Sequence, residues 1–295
     1  MPTSDPRRPQ RSSGSAAWAW LLVAVALGVG AGWWFWGRPG AEPVLGAQAT
    51  GAAPAPQQAP SAAAPEGAPA PEEPLHHPVE EIEAPPAPPL ESPQELEAAV
   101  QQLLGAQQSA AFLQLDDFAR RVVATIDNLA REQAPARLWP VQPTPGRFAV
   151  DGPADAQVQT IAADNASRYR PFVAFAEGVP LDAAVQLYVR LYPLLQAAYE
   201  ELGYPGRHFN DRLVAVLDHL LATPEPSGPL AVQLTRVAGE VPSTRPWVRY
   251  EFADPKLQAL SSGQKMLLRM GPENARRLKA VLAGVRQRVA TGVRP

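Results

Sequence analysis

The residues best suited to chemistry cluster between Tyr204 and Arg212, where Tyr204-Pro205-Gly206-Arg207-His208-Phe209-Asn210-Asp211-Arg212 gathers aromatic, cationic and amide groups in what reads as a turn. Loops held by a rigid scaffold often carry binding sites. Tyr204, Arg207, His208 and Asn210 are therefore candidate ligand contacts. The plainer alternative makes Asn210 a helix cap and packs the aromatics inward. A second candidate is Arg245-Pro246-Trp247-Val248-Arg249-Tyr250. As a strand it would set Arg245, Trp247 and Arg249 on one face. Such an Arg/Trp stripe suits contact with a protein or a polyanion. Its alternative is a core tryptophan flanked by arginines in surface ion pairs.

Catalytic readings are weaker. His208, Asp211, Asp218 and His219 are the right residue types for a zinc or manganese site. However, His219 turns about 80° away from Asp211 on a helix at 100° per residue. No HExxH-like spacing appears. Glu200-Glu201 with Asp218 could be paired carboxylates for glycoside hydrolysis, but adjacent glutamates at a helix end more simply form a solvated face. The chain has no cysteine, which removes disulfides, thiolate metal sites and cysteine nucleophiles. No cofactor or metal is expected.

Charge is uneven, although the net value is only −3. From Lys256 onward, Lys256, Lys265, Arg269, Arg276, Arg277, Lys279, Arg286, Arg288 and Arg294 face only Glu273. Leu278, Val281, Leu282, Val285 and Val289 form an apolar stripe on the same last helix. A basic amphipathic helix can meet anionic lipid headgroups, a polyanion or the acidic segment that precedes the domain. The alternative docks the stripe on the core and leaves the basic face in water.

The elements that would position these groups are mainly helical. Ser92-Pro93-Gln94-Glu95 is a capping box with Pro at the first helical position, opening a helix to Leu104 before Gly105. Phe112, Leu115, Phe118, Val122, Ile126 and Leu129 recur at helical spacing, which predicts one helix from Gln107 to Arg131. A proline-broken stretch, Pro135–Pro153, follows. Arg147–Val150 and Val158–Ile161 read as short strands around Asp151-Gly152. Helices are expected over Asp164–Glu177, Leu181–Leu202 with a kink at Pro193, and Asn210–Ala222. Leu230–Val237 and Trp247–Phe252 read as two antiparallel strands. Ser261–Met270 and Pro272–Ala290 close the chain as helices. The fold class expected is mainly α with a small antiparallel sheet, over residues 93–292.

The rest of the chain is different in kind. From Ala16 to Trp36 runs an uncharged apolar segment of 21 residues, with tryptophans at both ends. That length spans a bilayer, and the indoles match its two interfaces. The apolar run ends in Trp-Trp-Phe-Trp rather than a small-residue cleavage site, so an uncleaved anchor is expected over a signal peptide. Arg7, Arg8 and Arg11 precede it and Arg38 follows, which places residues 1–15 in the cytoplasm and the domain outside. Residues 37–92 are rich in Pro, Ala and Glu, with no Lys or Arg beyond Arg38. They are expected to be a disordered, extended tether. His76-His77 lies in it and reads as a solvated pair.

Four stretches carry a resemblance: LDDFARRVVATIDNLARE, RLWPVQPTPGRF, RLYPLLQAAYEELGYPGRHFNDRLVAVLDHLLATPEP and RPWVRYEFADPKLQALSSGQKMLLRMGPENARRLK. Together they cover most of the chain from Leu113 to Lys279 and resemble bacterial domain-of-unknown-function family 3014. The resemblance implies a layout of anchor, proline-rich tether and helical domain. It brings no catalytic residues. The expectation is a single-pass protein of the bacterial inner membrane with a periplasmic domain. That domain binds an envelope protein or cell-wall polymer, without nucleic acid. The alternative function is a cell-envelope hydrolase.

Overall fold

The computed structural model describes residues 73–153, 156–235 and 246–292. The expected cytoplasmic tail, the expected anchor at 16–36 and the tether up to residue 72 lie outside the described residues. Among the described residues no single helix is long and apolar enough to cross a membrane.

Ser92 opens α1 (Pro93–Leu104) as the sequence predicts, its hydroxyl accepting from the Glu95 amide at 3.2 Å. The Glu95 carboxylate caps the Glu91 amide at 2.9 Å rather than that of Ser92. The helix expected over Gln107–Arg131 is two helices, α2 (Ala106–Phe112) and α3 (Phe118–Leu129). Between them the chain extends to pair with a second extended segment. Leu113 bridges Val141, the Gln114 amide donates to the Pro140 carbonyl and the Gln142 amide to the Phe112 carbonyl, both at 2.9 Å. These long-range bonds replace the helical ones that local periodicity favours.

A 3-10 turn, Ala163–Tyr169, leads into α4 (Arg170–Glu177), followed by α5 (Leu181–Glu201) and α6 (Phe209–Leu221). Short α7 (Pro255–Gln258), not expected from the sequence, precedes α8 (Ser262–Arg269) and α9 (Pro272–Val289). One hydrophobic core joins α1, α3, α4, α5, α6, α8 and α9 around Trp139, Tyr169, Phe209, Ile126 and Leu220. Four antiparallel strands, β1 (Val150–Asp151), β2 (Val158–Ile161), β3 (Ala231–Leu234) and β4 (Tyr250–Phe252), pair in sequence order. A smaller core of Val232, Phe252 and Leu268 sits under this sheet. The molecule is thus mainly helical with a small antiparallel sheet.

Two further expectations need correction. Residues 73–91, expected to be solvated tether, lie along the domain as a strap. Val79, Ile82 and Leu90 are buried in the main core. The Glu73 amide donates to the Gly206 carbonyl, and the Leu90 amide to the Arg190 carbonyl. Trp247 stands in a 3-10 turn, Pro246–Val248, not in a strand, so the alternation proposed for Arg245, Trp247 and Arg249 does not arise. Arg245 itself lies outside the described residues.

Candidate binding cleft

The first sequence candidate is occupied by the protein itself. Asp127, buried at 4% exposure on α3, receives Arg131 at 2.7 Å, Arg212 at 3.0 Å and the Tyr204 hydroxyl at 3.1 Å. The Tyr204 ring stacks on Tyr199 with centroids 4.6 Å apart. Arg207 pairs with Glu73 of the strap at 2.7 Å. Asn210 does not cap α6. It is fully buried, accepting from the Tyr188 hydroxyl at 2.9 Å and donating to the His77 carbonyl at 2.8 Å and the Val289 carbonyl at 3.0 Å. Gln196 does the capping instead, accepting from the Phe209 amide at 2.9 Å. His208, half-buried, precedes α6 without a side-chain cap bond. The Asp211 carboxylate accepts the His76 and His77 amides at 3.0 and 2.7 Å. Arg207, Asn210 and Asp211 thus clamp Glu73, His76 and His77 of the strap, Asn210 also holding the end of α9, while Tyr204 joins the Asp127 cluster.

Trp247 and Arg249 lie just before β4. The Arg147 guanidinium lies 3.9 Å over the Trp247 ring, and the Arg249 carbonyl accepts from the Thr235 amide and hydroxyl at 2.8 Å each. The metal and carboxylate candidates are dispersed among other partners. Asp218 pairs with Arg286, His219 bonds Ser261 at 2.9 Å, and Glu200 accepts from Gln196 at 2.8 Å. Among the described residues no group of three His, Asp or Glu could hold a metal ion. The apolar stripe of α9 is buried in the core. Arg277, Lys279, Arg286 and Arg288 pair with Glu177, Glu225, Asp218 and Asp182.

A large cavity lies elsewhere, where sequence reasoning placed no site. A cleft of about 950 Å³ lies between α1, α2, the extended segment after α2 and the segment 136–143. Glu97, Gln101, Ala106 and Ala110 form its helical wall. The opposite wall is held in place by a reciprocal glutamine stitch: Gln114 Nε2 donates to the Val141 carbonyl at 3.0 Å, and Gln142 Nε2 to the Leu113 carbonyl at 3.1 Å. Arg121 ties the same two segments together, donating to the Asp116 carbonyl at 2.8 Å and the Arg137 carbonyl at 2.6 Å. Thr125 adds a bond to the Leu138 carbonyl at 3.1 Å.

Two polar atoms in this lining have no partner among the described residues. Ser109 Oγ and Trp139 Nε1 are buried, each residue at 1% exposure, and neither makes a hydrogen bond. A buried donor left unsatisfied costs about 1–3 kcal/mol. One lies on the α2 side of the cleft and one on the facing segment, so a bound molecule would have to supply an acceptor to each side to offset both. The remaining lining mixes apolar Leu113, Leu115, Val141 and Pro143 with the side-chain amides of Gln101, Gln114 and Gln142. That mixture of apolar surface and a few polar groups is the usual character of a ligand site. Ser109 has no base beside it, so no activated nucleophile is assembled here. The signal available in the sequence was the run of prolines around one tryptophan, Pro135 to Pro145, which holds the chain extended and prevents helix formation.

No curated protein and no solved structure matches the chain. A family does, and its matched segment, 118–286, takes in the Trp139 wall of the cleft, the turn from Tyr204 to Asp211 and the sheet. Since that segment is more than half of the sequence, the chain belongs to the family described as Protein of unknown function (DUF3014).

Proposed function

We propose that this is a membrane-anchored protein of the cell envelope whose soluble domain binds a partner protein or cell-wall polymer in the α1/α2 cleft, without catalysis. The supporting observation is the pair of unpartnered buried groups, Ser109 Oγ and Trp139 Nε1, in the wall of a cleft of about 950 Å³. The hydrolase reading has less support. Glu200 and Asp218 are exposed, sit on different helices, and are each engaged by a neighbour. Neither lines the cleft.

The test uses the full-length chain in detergent, incubated with solubilised envelope. Ala110 is an exposed cleft residue, so Ala110→Trp fills the site without disturbing the core. A partner retained by the native chain should be lost by at least about tenfold with Ala110→Trp, equivalent to about 1.4 kcal/mol. It should be retained by the double substitution Glu200→Gln, Asp218→Asn. Retention by Ala110→Trp would exclude the cleft. Release of wall fragments that stops only with the carboxylate substitutions would establish the hydrolase instead.

A further inference from the structure

On the sheet side of the domain, α8 presents two cations one turn apart. Lys265 and Arg269 line a cavity of about 150 Å³ with Tyr250, Gln258, Ser262 and the Glu132–Ala134 segment, sharing no residue with the cleft above. Arg269 Nη2 donates to the Tyr250 carbonyl at 2.9 Å. The guanidinium lies 5.3 Å over the Phe252 ring and 5.9 Å over Phe148, and its Nε is buried with no acceptor. Lys265 Nζ has a single bond, to the Gln258 carbonyl at 3.2 Å. Among the described residues, neither cation has a carboxylate within ion-pair distance. Four other cations of the same C-terminal region do.

Glu132 acts on Lys265 only at a distance, and no carboxylate among the described residues bonds either cation. Tyr169 lies beside Arg269, but burial raises its pKa and the phenol keeps its proton. Burial pulls Lys265 below the ordinary lysine range, the charge of Arg269 adds to that, and the charge of Glu132 offsets part of it. A desolvated cation without a partner is costly. A guanidinium fork with an adjacent ammonium is the natural receptor for a carboxylate.

We propose that this pocket binds a small, singly charged carboxylate between Arg269 and Lys265. The cavity holds about five waters' worth of liquid at about 30 Å³ each, which limits the ligand to a few heavy atoms. Glu132 and Glu251 stand on its rim, Glu251 already accepting from Gln233 at 3.1 Å. Their charge rejects a doubly charged phosphate and tolerates a monoanion. It would also attract the ammonium of a small amino acid, so the carboxylate could come from a simple acid or a zwitterion.

The full-length chain in detergent is titrated calorimetrically with acetate, glycine and inorganic phosphate, against chloride at matched ionic strength. Arg269 packs on Phe148 and Phe252, so the variants are made at the rim. Acetate or glycine should bind, and Lys265→Met should weaken binding by about tenfold, the scale of one charge-assisted bond. Glu132→Gln should tighten acetate severalfold. Glycine binding tighter than acetate, with the advantage lost in Glu132→Gln, would identify a zwitterion; acetate binding tighter would identify a simple acid. Failure of both to bind above the chloride background, affinity unchanged in Lys265→Met, or phosphate binding tighter than both would overturn the proposal.

Discussion

Single residues do more positioning than chemistry in this domain. Asp127 holds α3, α6 and the Tyr204 turn together through two arginines and a phenol, while itself buried. Asp127→Asn keeps the shape and removes the charge, leaving Arg212 without its counter-ion. Equilibrium urea unfolding should show a loss of about 3 kcal/mol at unchanged slope, the cost of breaking a buried pair from one side. A loss below about 0.5 kcal/mol would make the cluster a surface feature. Tyr192 offers a pH test. Burial raises its pKa to about 12, so the folded state retains a proton that the unfolded chain releases near 10. The stability it contributes is complete below pH 10 and disappears as pH rises to about 12. Phenolate absorbance should therefore lag the ordinary tyrosine titration, and Tyr192→Phe should flatten the alkaline loss of stability. At this scale the sequence was a partial guide. Tyr204, Arg207 and Asn210 were legible as a group because their types are crowded into one turn. Asn210 was not legible as a buried three-bond amide, because its partners, His77, Tyr188 and Val289, are remote in sequence.

At the scale of elements, periodicity located most helices within a residue or two and failed where long-range pairing replaced it. The apolar repeat from Phe112 to Leu129 is continuous, yet the chain breaks at Leu113 because the two glutamines stitch it to the 139–142 segment. Asp117, at φ +50, was the local clue: aspartate tolerates the left-handed conformation that restarts α3. The cleft arises from that break, so it was hidden by the same repeat. The strap was illegible for a different reason. Val79, Ile82 and Leu90 are spaced without period in a proline- and glutamate-rich segment, and no pattern marks an extended chain that docks. Ile82→Ala should cost about 2–3 kcal/mol in the same unfolding measurement. A value within about 0.5 kcal/mol would mean that the segment is solvated, as its composition suggests. Close packing is equally specific at α8. A Cβ on Gly263 would sit 2.5 Å from Leu220 Cδ2 and 3.0 Å from the Leu129 carbonyl oxygen. Gly263→Ala should therefore lower stability by about 1–3 kcal/mol.

For the whole molecule, the proposed arrangement of anchor, linker and domain is decided by topology. Alkaline phosphatase and a cytoplasm-only fluorescent reporter, each fused after Pro295, should give phosphatase activity without fluorescence. The reverse result would return the domain to the cytoplasm and reopen its list of partners. The docked strap also determines how the domain would respond to tension. A pull on the chain before Glu73 loads its contacts in sequence order, beginning with Gly206 and Arg207. The Asp211 bonds to His76 and His77 come next, then the Asn210 and Thr291 bonds to His77. Only afterwards do Val79 and Ile82 leave the core. Contacts released one at a time yield at lower force than contacts strained together, so the strap would act as a mechanical fuse, paying out slack and uncovering Arg207, Asn210 and Asp211 while the cleft walls remain intact.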